Sequence, residues 1–287
     1  MAAPTTTGRL SLVATPIGNL EDMTFRAVRV LREADLIAAE DTRRARVLLD
    51  HFGVDRPLTS YHQHNEHWKT AQLLGQVRAG KKVAVLSDAG TPSLSDPGYL
   101  LVRDAVAAGL EPEIIPGVSA LAYAVTACGF PVTEFIFAGF LPAKGARRRR
   151  LLVELLAKAP TVFLFESPFR VGKLLEEIVA ELGGDTRVAL LREATKLHEE
   201  HLRGSAADVL ERHRDRHWKG EFTVAITRPG PVSAPDATAA AGENPGATRP
   251  AAPTGALDGT AATDILTGIN SGKPNQVGAA HAAELAP

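Results

Sequence analysis

The chain has 287 residues, 45% of them hydrophobic and 23% charged, with 32 Lys and Arg against 33 Asp and Glu for a formal net charge of −1. That length and apolar content support one large core or two smaller ones and exclude a disordered or fibrous chain, and near-neutrality excludes a polycation that holds nucleic acid by bulk charge alone. The lone Cys128 excludes an intramolecular disulfide, and no stretch offers the ~18 continuous apolar residues of a membrane span.

The opening residues, MAAPTTTGR, lack the apolar core of a signal peptide, so residues 1–8 read as a flexible N-terminus and the expected location is cytoplasmic. Residues 10–14 (LSLVA) predict a short strand that runs into Thr15-Pro16-Ile17-Gly18-Asn19. Asp22 is placed to cap a helix reaching about Glu33, with Phe25, Val28 and Leu31 on its apolar face. Residues 35–39 (DLIAA) repeat the plan, with a charged exit, Glu40-Asp41-Thr42-Arg43, before the next helix. A third strand near residues 57–60 empties into Tyr61-His62-Gln63-His64-Asn65-Glu66.

The stretch around which these units are arranged comes fourth. Residues 83–86 (VAVL) form a continuous apolar run, the mark of a strand buried on both faces, and SDAGTPSLSDPG (residues 87–98) cannot continue it. Gly90 is suited to positive φ and close approach of main chain to a ligand, and Asp88 supplies a carboxylate at the strand end. A fifth strand, residues 112–115, exits through Pro116-Gly117-Val118-Ser119. Alternation of this kind predicts a parallel sheet with helices on both faces, and right-handed crossovers place all five exits on one rim, where open α/β sheets bind ligands.

The pattern changes after Gly129-Phe130-Pro131, which divides residues 9–130 from a smaller mixed α/β domain at residues 131–228. Neighbouring strands at residues 187–191, 200–203 and 222–227, read without intervening helices, make its sheet partly antiparallel. Residues 229–287 hold 8 of the 19 prolines and no aromatic residue, so this Ala/Pro/Gly-rich tail is expected to be mostly disordered. Its net charge of −3 leaves the rest of the chain at +2.

One glycine in the first exit makes a poor pyrophosphate cradle, which disfavours NAD and ATP; a ligand without phosphate, such as a nucleoside carrying an amino acid, is compatible with such a rim. His62, His64 and His67 fit no zinc pattern, and no metal is expected. Lys144 with Arg147, Arg148, Arg149 and Arg150 forms the densest basic run; cations at a helix N-terminus oppose the macrodipole, which points to an anionic partner such as a phosphate backbone. Glu166 with Arg170 is either an internal ion pair or a substrate-binding pair, and Arg192-Glu193-Ala194-Thr195-Lys196 leaves the same two readings open.

Taken together, TPIGNLEDMTFRA, AAEDTR, HNE, SDAGTPSLSDPG, PGVSA, GFLPAKG, ESPFR and REATK, in this order, closely resemble the ribosomal RNA small subunit methyltransferase I family of the tetrapyrrole-methylase-like superfamily, over about residues 8–227. The resemblance implies a two-domain α/β enzyme, homodimeric, binding S-adenosyl-L-methionine in the cleft between domains. It further implies methylation of the ribose 2′-hydroxyl of a cytidine in the decoding region of 16S rRNA within the 30S subunit. Carried over position by position, Pro16, Ile17 and Gly18 would border the cofactor, Asp88, Ala89, Gly90 and Thr91 would hold its amino-acid end, and Gly117, Ser119 and Ala120 would complete the wall. The Lys-rich helical extension of other members has no counterpart in this tail. From loop position and charge, Glu166 and Asp88 are the candidate catalytic carboxylates, with Lys144 and Arg170 orienting RNA. A tetrapyrrole methyltransferase and a non-enzymatic RNA-binding module are the alternatives.

Overall fold

The computed structural model describes residues 8–229, and the expectations for residues 1–7 and for the tail beyond Arg228 and Pro229 fall outside them. The first sheet contains β1 (Arg9–Val13), β2 (Leu36–Ala39), β3 (Leu58–Ser60), β4 (Lys82–Leu86) and β5 (Glu113–Ile115), all parallel, in the order β3-β2-β4-β1-β5. Helices α1 (Phe25–Glu33), α2 (Thr42–His51), α3 (Glu66–Arg78) and α4 (Tyr99–Ala107) alternate with the strands. Side chains of a strand alternate between faces. Ala84 and Leu86 of β4 therefore pack with Ala27, Leu31 and Leu49 of α1 and α2 on one face. Val83 and Val85 pack with Leu73 of α3 and Leu101 of α4 on the other.

That order creates the crevice. β1 and β4 are hydrogen-bonded neighbours, yet the chain leaving β1 crosses to β2 on one side and the chain leaving β4 crosses to β5 on the other. The two exits diverge over opposite faces, which opens the rim at that point.

The second sheet orders β6 (Phe135–Phe140), β7 (Thr161–Glu166), β8 (Arg187–Arg192), β9 (Glu200–Ser205) and β10 (Phe222–Thr227) as β6-β7-β10-β8-β9. Only the β6–β7 pair is parallel. One face is covered by α6 (Ala146–Lys158), α7 (Val171–Leu182) and α8 (Ala206–Arg212), whose Leu152, Leu174 and Val209 meet Val162, Leu190 and Val224. The other is covered by α5 (Ala120–Ala127): Ala124 and Cys128 pack on Phe163, Ala189 and Ala225. The composition break near residue 130 groups α5 with the first sheet, but its apolar face completes the second.

Three local expectations are corrected. Asp22 does not cap α1. It ends a separate 3-10 turn, Leu20–Asp22, whose cap is Asn19, and Thr24 caps α1 by accepting from the Ala27 N–H. Phe25 is 99% exposed, because the buried stripe of α1 runs through Ala27, Val30 and Leu31 and residue 25 lies about 200° around the helix from Ala27. A helix, α8, stands between β9 and β10, where the strands were read as neighbours without one.

Candidate active site

The exits of β1, β4 and β5 form one ledge. Thr15 and Gly90 exchange main-chain hydrogen bonds of 2.9 and 3.0 Å, and the Thr15 hydroxyl donates to the Ser87 carbonyl at 3.1 Å. The β5 exit joins through Thr91, whose hydroxyl donates to the Val118 carbonyl at 3.3 Å. Gly90 has φ +81°, and a Cβ there would stand 3.2 Å from Ile17 and in a conformation that side chains rarely adopt. Both its N–H and its carbonyl are committed to Thr15, so its contribution to a ligand is the missing side chain and the path it sets for Ala89 and Thr91. At Gly117 a Cβ would come within 2.9 Å of the Ala14 Cβ, so glycine lets the third exit lie close against the first.

Beside the ledge, the exits of β2 and β3 complete an open hollow lined by Glu40, Asp41, Arg44, His62 and Asp88. Asp88 accepts from the Asp41 N–H at 2.9 Å and from the Arg44 guanidinium at 3.1 Å. Asp41 in turn caps α2 by accepting from the Arg43 N–H. At Glu40 burial, then the nearby charge of Asp88, outweigh the opposing charge of Arg44 and push the pKa up to about 7. Asp96, in the β4 exit, is raised to about 8, first by burial and then by Glu40, Asp88 and Glu221. Glu221 precedes β10, so acidic groups of both sheets face one another here.

The second sheet closes over the ledge. The Lys196 stem lies where a side chain at Gly18 would be, 2.3 Å from the Cβ position. Its ammonium is held by Glu193 at 3.0 Å and Glu221 at 2.9 Å. Burial alone would depress the Lys196 pKa, and the two carboxylates more than reverse it. Glu193 and Thr195 both take positive φ, 51° and 68°, an uncommon conformation outside glycine that sets the loop carrying Lys196. Nearby, Ser95 of the β4 exit lies 3.1 Å from the Cβ position of Gly139 in β6, and Tyr123 of α5 meets His201 of β9 at 2.5 Å.

Glu166 ends β7 with 2% exposure, and both its oxygens are occupied. One accepts from Arg148 at 2.7 Å, the other from Arg170 and from the Ser167 N–H, each at 2.7 Å. Arg148 also donates to Glu177 of α7 at 2.6 Å and to the Pro142 carbonyl at 3.2 Å. Two expectations change as a result. Arg148 is 1% exposed and so does not reach RNA, and Glu166, as deeply buried and already paired at both oxygens, is closed to a bound sugar. Of the basic run, Lys144, Arg147, Arg149 and Arg150 are exposed, Arg149 pairing with Glu181 at 3.0 Å. Arg170 pairs with Glu166 through its Nε, its side chain staying 22% exposed, and within residues 192–196 the internal ion pair is Glu193 with Lys196.

Thus the structure gathers Pro16, Ile17, Gly18, Asp88, Ala89, Gly90, Thr91 and Gly117 at one ledge, with Ser119 and Ala120 opening α5 beside them. Pro16 and Ile17 are buried and Gly18 lies under Lys196, whereas Ala89 and Gly117 are exposed. His62 lines the hollow with the exposed His64 ring edge-on to it at 5.9 Å, and His67 is exposed outside it. Sequence reasoning missed Glu40 and Asp96 as perturbed carboxylates. For Arg148 a signal existed: positions 148, 152 and 156 form one i, i+4 stripe with two leucines.

A family model for tetrapyrrole (corrin/porphyrin) methylases matches residues 9–210. The chain is 46% identical over 220 residues to the ribosomal RNA small subunit methyltransferase I of Thermotoga maritima, covering 77% of this chain and 98% of that one. It is 43% identical to the enzyme of the same name from Halalkalibacterium halodurans, covering 80% and 79%. Among solved structures it is similar in fold to diphthine synthase (TM-score 0.63, 16% identity, 76% of this chain and 89% of that). Uroporphyrin-III C-methyltransferase from Thermus thermophilus, complexed with S-adenyl homocysteine, is similar too (TM-score 0.55, 19% identity, 77% and 97%). The shared fold, the ledge of strand exits and these identities over most of the chain place it in the tetrapyrrole methylase family, among the ribosomal RNA small subunit methyltransferase I proteins.

Proposed function

We propose that the protein transfers a methyl group from S-adenosyl-L-methionine to the ribose 2′-hydroxyl of a cytidine in the decoding region of 16S rRNA, with the 30S subunit as substrate and a cytoplasmic homodimer as the working form. The observation that carries this reading is the convergence of the β1, β4 and β5 exits, Thr15 bridged to Gly90 and Thr91 to Val118, on a ledge roofed by the second sheet. Glycines at 90 and 117, where a Cβ would crowd Ile17 and Ala14, and the exposed main chain at Ala89 and Gly117 suit an amino-acid end gripped by backbone. The name shared by the sequence relatives supports an rRNA substrate, and the S-adenyl homocysteine in the similar fold supports the methyl donor.

When bound, S-adenosylmethionine supplies an electrophilic methyl group on a sulfonium; the residues of this chain hold and orient both partners. Ala89, Thr91, Gly117, Ser119 and Ala120 hold the amino-acid end, with Pro16, Ile17 and Gly18 shaping the floor. The ribose hydroxyl must lose a proton, and Glu40 is the group suited to take it up: its pKa of about 7 leaves it ionised for much of the time near neutrality and strong enough as a base to help. Asp88, held by Asp41 and Arg44, fixes the wall of the hollow and orients the β2 exit that carries Glu40. Lys144, Arg147, Arg149, Arg150 and Arg170 are the cations offered to RNA.

Incubation of labelled S-adenosylmethionine with 30S subunits or with a precorrin tests the reading. Label in a cytidine ribose of 16S rRNA is expected, and label in the macrocycle alone would overturn it.

A further inference from the structure

β6 and β7 run parallel, so their carboxyl ends reach one edge, and that edge presents aromatic rings to solvent. Phe169, just past β7, is 81% exposed, and Phe140, the last residue of β6, is 47% exposed with its ring 5.6 Å from Phe165. Exposed rings of this size need a reason, since burying one removes a large apolar area from water.

Cations lie on the segments that meet at this edge. Arg170 follows Phe169 directly, and Lys144 and Arg147 lie in the segment between β6 and α6 and at the start of α6; among the described residues neither Lys144 nor Arg147 makes an ion pair. The edge is also held stiff. Glu166 of β7 joins Arg148 of α6 to Arg170, and Arg148 reaches back to the Pro142 carbonyl, so one buried carboxylate ties all three segments together. A surface fixed before its partner arrives loses little side-chain and loop entropy on binding. Through Gly139 and Ser95 the same edge adjoins the β4 exit, beside the candidate methyl-transfer site.

We infer that this edge docks single-stranded RNA, an unpaired nucleobase of the substrate stacking on Phe169 while Lys144, Arg147 and Arg170 take the adjoining phosphates. The inference rests on the rRNA reading above and names the part of the substrate that this surface grips. A ring flanked by cations matches what unpaired RNA offers, a π-face and a charged backbone, better than it matches an apolar protein face, which would leave three cations to be desolvated. The buried Glu166–Arg148 network is then a positioning device, and Phe169 a substrate contact.

The test uses the full chain with 30S subunits. Phe169→Ala is expected to raise KM for 30S roughly ten-fold or more, with kcat, S-adenosylmethionine affinity and Tm unchanged, and Phe169→Trp to restore KM. Arg147→Gln is expected to lower the slope of log KM against log salt by about 1. An unchanged KM in Phe169→Ala, or a Trp variant that does not rescue it, overturns the inference, as does a shift of Phe169→Ala from dimer to monomer in sedimentation, which would assign the ring to a second copy of this chain. Cosedimentation with 30S subunits without turnover separates the two readings. Wild-type protein that binds through Phe169 yet transfers no methyl group overturns the activity and keeps the surface; wild-type protein that methylates 30S with a KM indifferent to Phe169 does the reverse.

Discussion

Glu166 and Glu40 occupy similar places, one the last residue of β7 and the other one residue past β2, and the protein treats them in opposite ways. Glu166 is wholly buried and accepts from two guanidinium groups and a main-chain N–H. Glu40 is half-buried beside Asp88 and Asp41, and its proton is held to about pH 7. A carboxylate at a strand exit is therefore not a base by virtue of its place. What decides is whether neighbouring groups have already satisfied its charge.

The largest effect expected from breaking this contrast is on stability. Glu166→Ala leaves Arg148 buried with Glu177 as its one remaining carboxylate, and should cost about 3–5 kcal/mol in urea denaturation. Replacing Arg148, Glu166 and Glu177 together by Met, Leu and Leu should recover most of that loss. A mild Glu166→Ala with normal stability and lost turnover would instead return Glu166 to the reaction.

Glu40→Gln should act on rate and on pH dependence. In the wild type, kcat is expected to rise with pH through about 7, as Glu40 ionises; in the variant it should fall about 100-fold and lose that limb. The stability signature has the opposite sign. Raised carboxyl pKa values favour the protonated folded form, so this contribution is complete below the ordinary values of 4.5 and 3.8 and is lost as pH rises through about 7 for Glu40 and about 8 for Asp96. Glu40→Gln should thus be more stable than the wild type at pH 8, by about 1 kcal/mol once solvent screening is allowed for, and equal to it near pH 5, as read from Tm across pH.

The smallest effect belongs to a carboxylate between these extremes. Asp41 has its pKa lowered by Arg43, but the Arg43 side chain is 90% exposed, 2.9 Å away. Arg43→Ala should change stability by no more than about 0.5 kcal/mol, because Asp41 keeps its cap on α2 through the Arg43 main-chain N–H. A loss of several kcal/mol there would mean that exposure does not govern the difference between Glu166 and Glu40.

Much of the ledge was legible before the structure. Apolar runs ending in Thr-Pro-Ile-Gly, Ser-Asp-Ala-Gly and Pro-Gly-Val-Ser locate strand exits through short-range chemistry, and a parallel sheet brings such exits to one rim. The antiparallel pairing of β8 with β9 was legible in their close spacing, which leaves no room for a crossover helix, but the helix α8 between β9 and β10 was not. The partners of the charged residues were not. Glu166 meets Arg148 across 18 positions and Arg148 meets Glu177 across 29, and the tie between Thr15 and Gly90 spans more still. Phe25 shows the same limit inside one helix: its spacing to Val28 and Leu31 looks amphipathic, but the sheet lies against the stripe through Ala27.

By itself, then, the sequence determined the alternation of strands and helices, the turn residues at each exit and the glycines at 90 and 117, because backbone preference and hydrophobic period act over a few residues. Only the tertiary structure decided which charges are spent on holding the fold and which are left to act. Burial and Coulomb energy depend on what packs around a group in space, and Arg148 beneath the surface, Lys196 over Gly18 and Glu40 beside Asp88 are all products of packing between segments far apart in the chain.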